Sequence, residues 1–223
     1  MEKEIFKVNP IVIYPKCILE KGFQDNCLTC ENKDNCLSPR SMCIRPYKGH
    51  KNGCPNFGKL PTCPPNIPCM YDQMFDTSDV YAVVTKFYLE EYFEERRKKR
   101  PDLPEGQIQN IRNWQPTALK ENDYAISEFY RENPNLYIYV STRLLECMGV
   151  DVVGTMKEVG LYIKFPVKDI AYRVSFVARV LDGSLEKYGF DIYEETSKNK
   201  KGMKRLIKKW YNIKGDIIEK VFK

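Results

Sequence analysis

The chain has 223 residues, 43% of them hydrophobic, and a formal net charge of +6. This length and composition predict one globular body with a normal core, and no segment approaches the eighteen consecutive apolar residues of a membrane-spanning helix, so we expect no membrane span. The charge is uneven: residues 198–223 hold ten basic and two acidic residues, a local +8, which leaves −2 for the rest of the chain.

The N-terminal tenth of the chain predicts a short edge strand or an extended segment that leads into the fold. Residues 5–14 are rich in β-branched and aromatic residues, and Pro10 interrupts them, which is typical of an edge strand. Residues 17–69 then show almost no helical or strand periodicity and are rich in turn-forming residues. A loop-rich region of this length needs stabilisation beyond packing, because ordering each residue costs about 1–2 kcal/mol.

The most informative feature of this loop-rich region is its cysteine content. Seven of the nine cysteines of the chain lie between residues 27 and 69 of this region: Cys27, Cys30, Cys36, Cys43, Cys54, Cys63 and Cys69. Disulfide frameworks belong to short secreted domains, whereas this longer chain begins without an apolar signal region and has an odd number of cysteines. We therefore expect a cytoplasmic protein whose reduced thiols bind metal, and metal–thiolate bonds would stabilise the loops.

The spacing of the cysteines predicts two groups of ligands. The first group is Cys27, Cys30, Cys36 and Cys43, in which the first two form a tight knuckle. The second group is Cys54, Cys63, Cys69 and a fourth ligand, for which Cys17, His50 and Cys147 are the candidates, unless the group has only three ligands.

Ligand type alone does not distinguish zinc from an iron–sulfur cluster, since both accept four thiolates. Zinc sites usually pair two close knuckles, but this chain has one knuckle and a single histidine. Proline directly follows Cys54 and Cys63, as it follows ligand cysteines in iron–sulfur loops. These features favour one or two iron–sulfur clusters, of the [4Fe–4S] type, with zinc as the alternative.

The remaining sequence predicts alternating strands and helices. Strands are expected at 80–89, 136–142, 162–165 and 172–181, and helices at 90–100, 117–132 and 144–159, with a break at 101–106 and a linker through Pro116. Cys147 lies near the start of the last of these helices, where the helix dipole would stabilise a thiolate. Beyond residue 200, apolar residues recur at helical spacing with lysines between them, which predicts a basic amphipathic helix.

This order of elements predicts an α/β or α+β fold with a mixed sheet and flanking helices. Three regions are expected: a cysteine-rich, metal-binding region at 1–75, the body at 76–183, and a polar linker with the basic C-terminal helix at 184–223.

Two sequence segments resemble a predicted metal-binding family, known as domain of unknown function 2284. The Cys-Pro-Asn-Phe-Gly step at Cys54 and the Cys-Pro-Pro step at Cys63 precede a strand, as in that family, and residues 145–160 are similar to its Gly-Ile-Asp-Val segment. The resemblance covers residues 43–182 and implies an α/β core with Cys54 and Cys63 as ligands. The family's further four-cysteine group is missing from residues 124–146, and the group from Cys27 to Cys43 is a candidate replacement.

The leading functional hypothesis is an iron–sulfur protein with an electron-transfer role or a redox enzyme activity. The alternative is a zinc module that binds nucleic acid through two basic segments, 96–100 (Arg96 to Arg100) and 198–209 (Lys198 to Lys209). A third hypothesis is that the metal only stabilises the fold. The sequence contains no phosphate loop, dinucleotide-binding glycine motif or Gly-x-Ser-x-Gly elbow.

Overall fold

The structure is a computed structural model that describes residues 2–15, 35–46, 50–55, 57–59, 63–64, 71–136 and 139–184, together with the backbone of 190–198, 204–213 and 216–221. The described strands are β1 Glu2–Val8, β2 Phe75–Tyr88, β3 Tyr139–Thr142, β4 Ile170–Val180, β5 Phe190–Lys198, β6 Lys204–Ile213 and β7 Asp216–Val221. The described α-helices are α1 Tyr71–Met74, α2 Leu89–Lys99, α3 Glu105–Ile108, α4 Ile111–Glu132 and α5 Val152–Glu158. Short 3-10 helices occur at Pro39–Cys43, Pro134–Leu136 and Glu146–Met148.

The central element is a four-stranded sheet with the order β1-β2-β4-β3. Every pair in it is antiparallel, so the α+β class is confirmed, but the predicted mixed sheet is wrong. The two strands joined by the long helical crossover, β2 and β3, do run in the same direction. The β4 strand lies between them and pairs antiparallel with both, so no parallel ladder forms.

The N-terminal strand is the edge strand that the sequence predicts. It pairs with β2 from Glu2↔Lys86 to Val8↔Val80, so the start of the chain belongs to the same sheet as the body.

The division of the chain into three regions at residues 75 and 183 stays a prediction. No helix in the described ranges combines the length and the apolar composition that crossing a bilayer requires.

The two faces of the sheet bury different parts of the chain, because successive side chains of β2 and β4 point to opposite sides. On one face, Val80, Val84 and Phe176 pack against residues from α1, from α5 and from the segment 145–150. On the other face, Val83 and Val177 pack under α4. Cys147 lies on the first of these faces, where it packs against the core.

The long helix α4 includes much of the predicted linker, so the linker prediction is wrong. Its N-terminus is capped by Asn110, whose side chain accepts a hydrogen bond from the Arg112 amide at 2.9 Å. Pro116 lies inside the helix, where it removes one internal hydrogen bond near the N-terminus. Burial of Trp114 and Ala118 against the sheet compensates for that loss.

The predicted helix at 144–159 is also interrupted. Glu146–Met148 forms a 3-10 helix that ends at Gly149, where φ is 89°, and α5 begins after Asp151, whose carboxylate accepts a hydrogen bond from Gly154 at 2.9 Å. Cys147 therefore lies before α5 and not in its first turn. The predicted strand at 162–165 is absent, and the chain there is irregular.

The C-terminal segment forms strands in place of the predicted basic amphipathic helix. The backbone of β6 pairs antiparallel with β5 and β7 in a separate three-stranded sheet. The β6–β7 pairing extends from Lys208↔Val221 to Ile213↔Asp216. The β-branched and aromatic residues that suggested a helical stripe also suit strands.

Candidate metal centre

The structure describes five of the nine cysteines. Cys36, Cys43, Cys54, Cys63 and Cys147 are half-buried, and none of them forms a disulfide. The other predicted ligands, Cys27, Cys30 and Cys69, and the candidate Cys17 lie outside the described residues.

Two short 3-10 helices that are far apart in sequence bring Cys43 and Cys147 together. Cys43 ends the helix Pro39–Cys43, and Cys147 lies within the helix Glu146–Met148. Arg40, which is completely buried, joins the two segments: its Nη1 donates a hydrogen bond of 2.9 Å to the Cys147 carbonyl. A buried guanidinium next to two thiols also supplies positive charge where thiolates would form.

Backbone contacts place Cys54 beside Cys43. The Cys54 amide donates a hydrogen bond of 2.8 Å to the Cys43 carbonyl. The preceding residue, Gly53, has φ of 79°, and a Cβ there would lie 2.7 Å from the Cys43 oxygen and from the Ile44 carbonyl carbon. Glycine is therefore required for this close approach. The chain turns back near Cys63, where the Gly58 amide donates to the Pro64 carbonyl at 2.8 Å.

The thiols of Cys43 and Cys147 share a hydrogen bond, and this contact makes them chemically unequal. The pKa of Cys43 is lowered to about 7, first because Cys147 hydrogen-bonds to it and also because Arg40 is positive, against the opposing effect of burial. The pKa of Cys147 is raised because it keeps the shared proton and because it is buried, with Glu146 and Cys63 adding negative charge. Cys63 is therefore close enough to Cys147 to interact with it electrostatically.

Two thiols from distant parts of the chain, those of Cys43 and Cys147, thus come into contact, and Cys54 is joined to Cys43 through its backbone. Among the residues that the structure describes, no group of three or more histidine, cysteine or acidic side chains has the spacing that would hold a metal ion. The donor set nevertheless suits a thiolate-bound metal or cluster, since four thiols, of Cys43, Cys54, Cys63 and Cys147, belong to contacting segments beside a buried arginine.

The two remaining described candidates occupy different positions. The Cys36 carbonyl accepts a hydrogen bond from the Ser41 hydroxyl at 3.1 Å, which holds its backbone next to the helix Pro39–Cys43. The His50 carbonyl accepts a hydrogen bond from the Gly53 amide at 3.2 Å, and this contact involves only backbone atoms.

Sequence reasoning placed Cys43 in the first ligand group, whereas its described contacts are with members and candidates of the second, Cys54 and Cys147. It gave no role to Arg40. The signal for such a role is weak, because a single arginine within a polar loop is usually exposed, and only the fold reveals that this one is buried.

The fold and the contact between Cys43 and Cys147 describe an α+β protein with paired thiols beside one face of its sheet. The chain matches no protein-family model, no curated protein and no solved structure. The resemblance to the predicted metal-binding family therefore stays a prediction.

Proposed function

We propose that this chain is an iron–sulfur protein with an electron-transfer or redox role, and that its cysteine-rich loops hold one or two [4Fe–4S] clusters. The observation that supports it most directly is the hydrogen bond between the thiols of Cys43 and Cys147, which are distant in sequence, next to the buried Arg40. Structural thiols that are only buried have no reason to gather from separate segments.

In this proposal each described residue of the site has a distinct task. Cys43, Cys63 and Cys147, with Cys54 alongside, would hold the group, and the cysteines outside the described residues would complete the ligand sets. The cluster would supply one-electron chemistry when bound. Arg40 would offset the negative charge of the thiolates and fix the Glu146–Met148 turn, and backbone amides near the site would tune the potential through hydrogen bonds.

The test is the content of iron, acid-labile sulfide and zinc in protein purified without oxygen or added metal, together with its visible absorption. Iron with matching sulfide and broad charge-transfer absorption is the expected result. Zinc without sulfide would overturn the cluster and favour the zinc alternative. Protein with neither metal would overturn metal binding altogether.

A pair of variants tests whether Cys147 belongs to the site. Cys147→Ser removes one thiol, and we expect loss of iron and sulfide with a far-ultraviolet circular dichroism spectrum like that of the wild type. Met148→Leu changes the adjacent buried side chain without removing a thiol, so it should keep the metal. Unfolding of Cys147→Ser on metal loss would indicate that the metal only stabilises the fold. Full metal retention would exclude Cys147 as a ligand.

A further inference from the structure

A cavity of about 240 Å³ opens in the irregular segment between α5 and β4, where the sequence predicted a strand. The residues that line it include two tyrosines, Tyr162 and Tyr172, two lysines, Lys164 and Lys168, and Asp169. The segment thus combines flat aromatic surface with two positive charges in one concave place. None of the predicted metal ligands lines this cavity.

The aromatic residues of this segment are exposed to an unusual degree. Tyr162 is 63% exposed and Phe165, three residues further along, is 71% exposed, whereas the other described aromatic side chains, apart from Tyr124, are buried or half-buried. Neither residue belongs to the described core clusters. Exposed aromatic rings next to a cavity therefore suggest a binding role more than a role in stabilising the fold.

The two lysines of the cavity differ from the basic residues that the sequence singled out. In α2 and the loop after it, Arg97 pairs with Glu90 and Glu105, Lys99 with Glu95, and Arg100 with Asp102. These acids largely neutralise the 96–100 segment. Within the part of the chain that the structure describes, no ion pair involves Lys164 or Lys168, so their charges remain available to an anion.

The chemistry of the cavity fits one nucleotide unit. A tyrosine ring can stack on a nucleobase, and lysines can contact its phosphates. The volume lies below the roughly 300–1,000 Å³ of sites for drug-sized ligands, which suits one ring system and not two. Asp169 would disfavour phosphate at its own position, but its oxygens can accept a hydrogen bond from the amino group of a base.

We propose that this cavity binds a nucleotide of single-stranded nucleic acid, with Tyr162 stacking on one base and Phe165 on its neighbour. A strand is favoured over a free nucleotide because Phe165 is a second exposed ring that does not line the cavity, and a strand supplies a second base to stack on it whereas a free nucleotide does not. This proposal does not depend on which metal, if any, the cysteines bind.

The test is fluorescence anisotropy of a short labelled oligothymidylate titrated with the full chain at several salt concentrations. Tyr162→Ala should weaken binding roughly 5- to 150-fold, the effect of losing one base–aromatic stack, and Tyr162→Phe should bind as the wild type does. The double variant Lys164→Gln/Lys168→Gln should reduce the slope of log affinity against log salt by about 1.4, or about 0.7 for each lost phosphate contact.

The matched control is Lys98→Gln/Lys99→Gln, which removes the same charge from α2 and should leave affinity nearly unchanged. A larger loss with this control than with the cavity lysines would overturn the proposal in favour of the 96–100 segment. Equal affinity for duplex DNA, or binding of thymidine monophosphate without binding of the oligonucleotide, would also overturn it. Unchanged binding by Tyr162→Ala would overturn it as well. Circular dichroism would verify that this variant is folded.

Discussion

At the scale of single residues, Arg40 shows how the candidate metal centre is held together. A buried arginine is costly unless its charge and its donors are used, because removing a guanidinium from water carries a large desolvation penalty. Here it spans 107 positions of sequence to reach the Cys147 carbonyl, and its charge lowers the pKa of Cys43. The same side chain therefore provides both a hydrogen bond between two distant segments and a positive charge that stabilises a thiolate.

Gly53 allows a testable prediction about the geometry of this centre. Gly53→Ala should destabilise the protein by about 1–3 kcal/mol, because alanine is strained at φ of 79° and its Cβ would lie 2.7 Å from the Cys43 carbonyl oxygen. We expect a lower urea midpoint, and a lower metal content if Cys54 and Cys43 share a site.

The control for this prediction is Gly106→Ala in α3. A Cβ at Gly106 would meet no atom within 4 Å, and alanine favours helix, so this change should be neutral or stabilising by up to about 1 kcal/mol. If Gly53→Ala unfolds at the same urea concentration as the wild type, then the described contact between Gly53 and Cys43 is incorrect.

At the scale of elements, α4 is positioned on the sheet by a buried asparagine as well as by apolar packing. Asn122 is fully buried, and its side-chain amide donates to the Val83 carbonyl at 3.2 Å and to the Arg173 carbonyl at 3.3 Å. Its Oδ1 accepts the Ser175 hydroxyl at 2.5 Å. One side chain of the helix thus contacts both central strands, β2 and β4.

Asn122→Ala should cost about 1–3 kcal/mol, because the Ser175 hydroxyl would be left buried without its partner. Ser175→Ala should cost less, and the double variant should be little worse than Asn122→Ala alone, which corresponds to a favourable coupling between the two sites. Urea unfolding of the four proteins would measure this coupling. Strictly additive losses would contradict the described hydrogen bond.

Much of this fold could be predicted from sequence, but the pairing of its strands could not. The runs that became β2, α2 and β4 are strongly patterned, and the structure has them close to the predicted positions. The antiparallel sheet depends on β4 entering between β2 and β3, which local sequence does not encode. The C-terminal strands were predicted as a helix because short apolar stretches are compatible with both periods.

The candidate site was predictable in its chemistry and less so in its membership. Cysteine density identifies the loop region from sequence alone, whereas the contact of Cys43 with Cys147 depends on how two distant 3-10 helices pack. The cavity at Tyr162 gave no signal as a site, because the aromatic and β-branched residues of 162–165 are also typical of a strand.

At the scale of the whole molecule, the carboxylate of Asp79 joins both edges of the four-stranded sheet. It pairs with Lys7 of β1 at 2.9 Å and accepts a hydrogen bond from the Tyr139 hydroxyl of β3. These contacts lower the pKa of Asp79, the bond from Tyr139 most and the bond from Lys7 next. The same contact raises the pKa of Tyr139 to about 12.

These two shifts predict how stability depends on pH. Asp79 has a lower pKa in the folded state, so its contribution is fully present above its unfolded pKa of about 3.9 and is lost as the pH falls through the folded value. Tyr139 has a raised pKa, so its contribution is fully present below its unfolded pKa of about 10 and is lost as the pH rises through about 12.

Urea unfolding across the pH range of Asp79→Asn and Tyr139→Phe would test both limbs. Asp79→Asn should be less stable than the wild type at neutral pH, and the difference should vanish in acid as the wild-type carboxylate is protonated. Tyr139→Phe should be less stable at neutral pH and converge with the wild type in strong alkali. Tyr162→Phe, which removes an exposed hydroxyl, should follow the wild type throughout. The contrary result is a stability difference between Asp79→Asn and the wild type that persists undiminished in acid. That result would show that the carboxylate does not join the two edge strands. The side-chain contribution to the stability of the sheet would then come from its apolar faces.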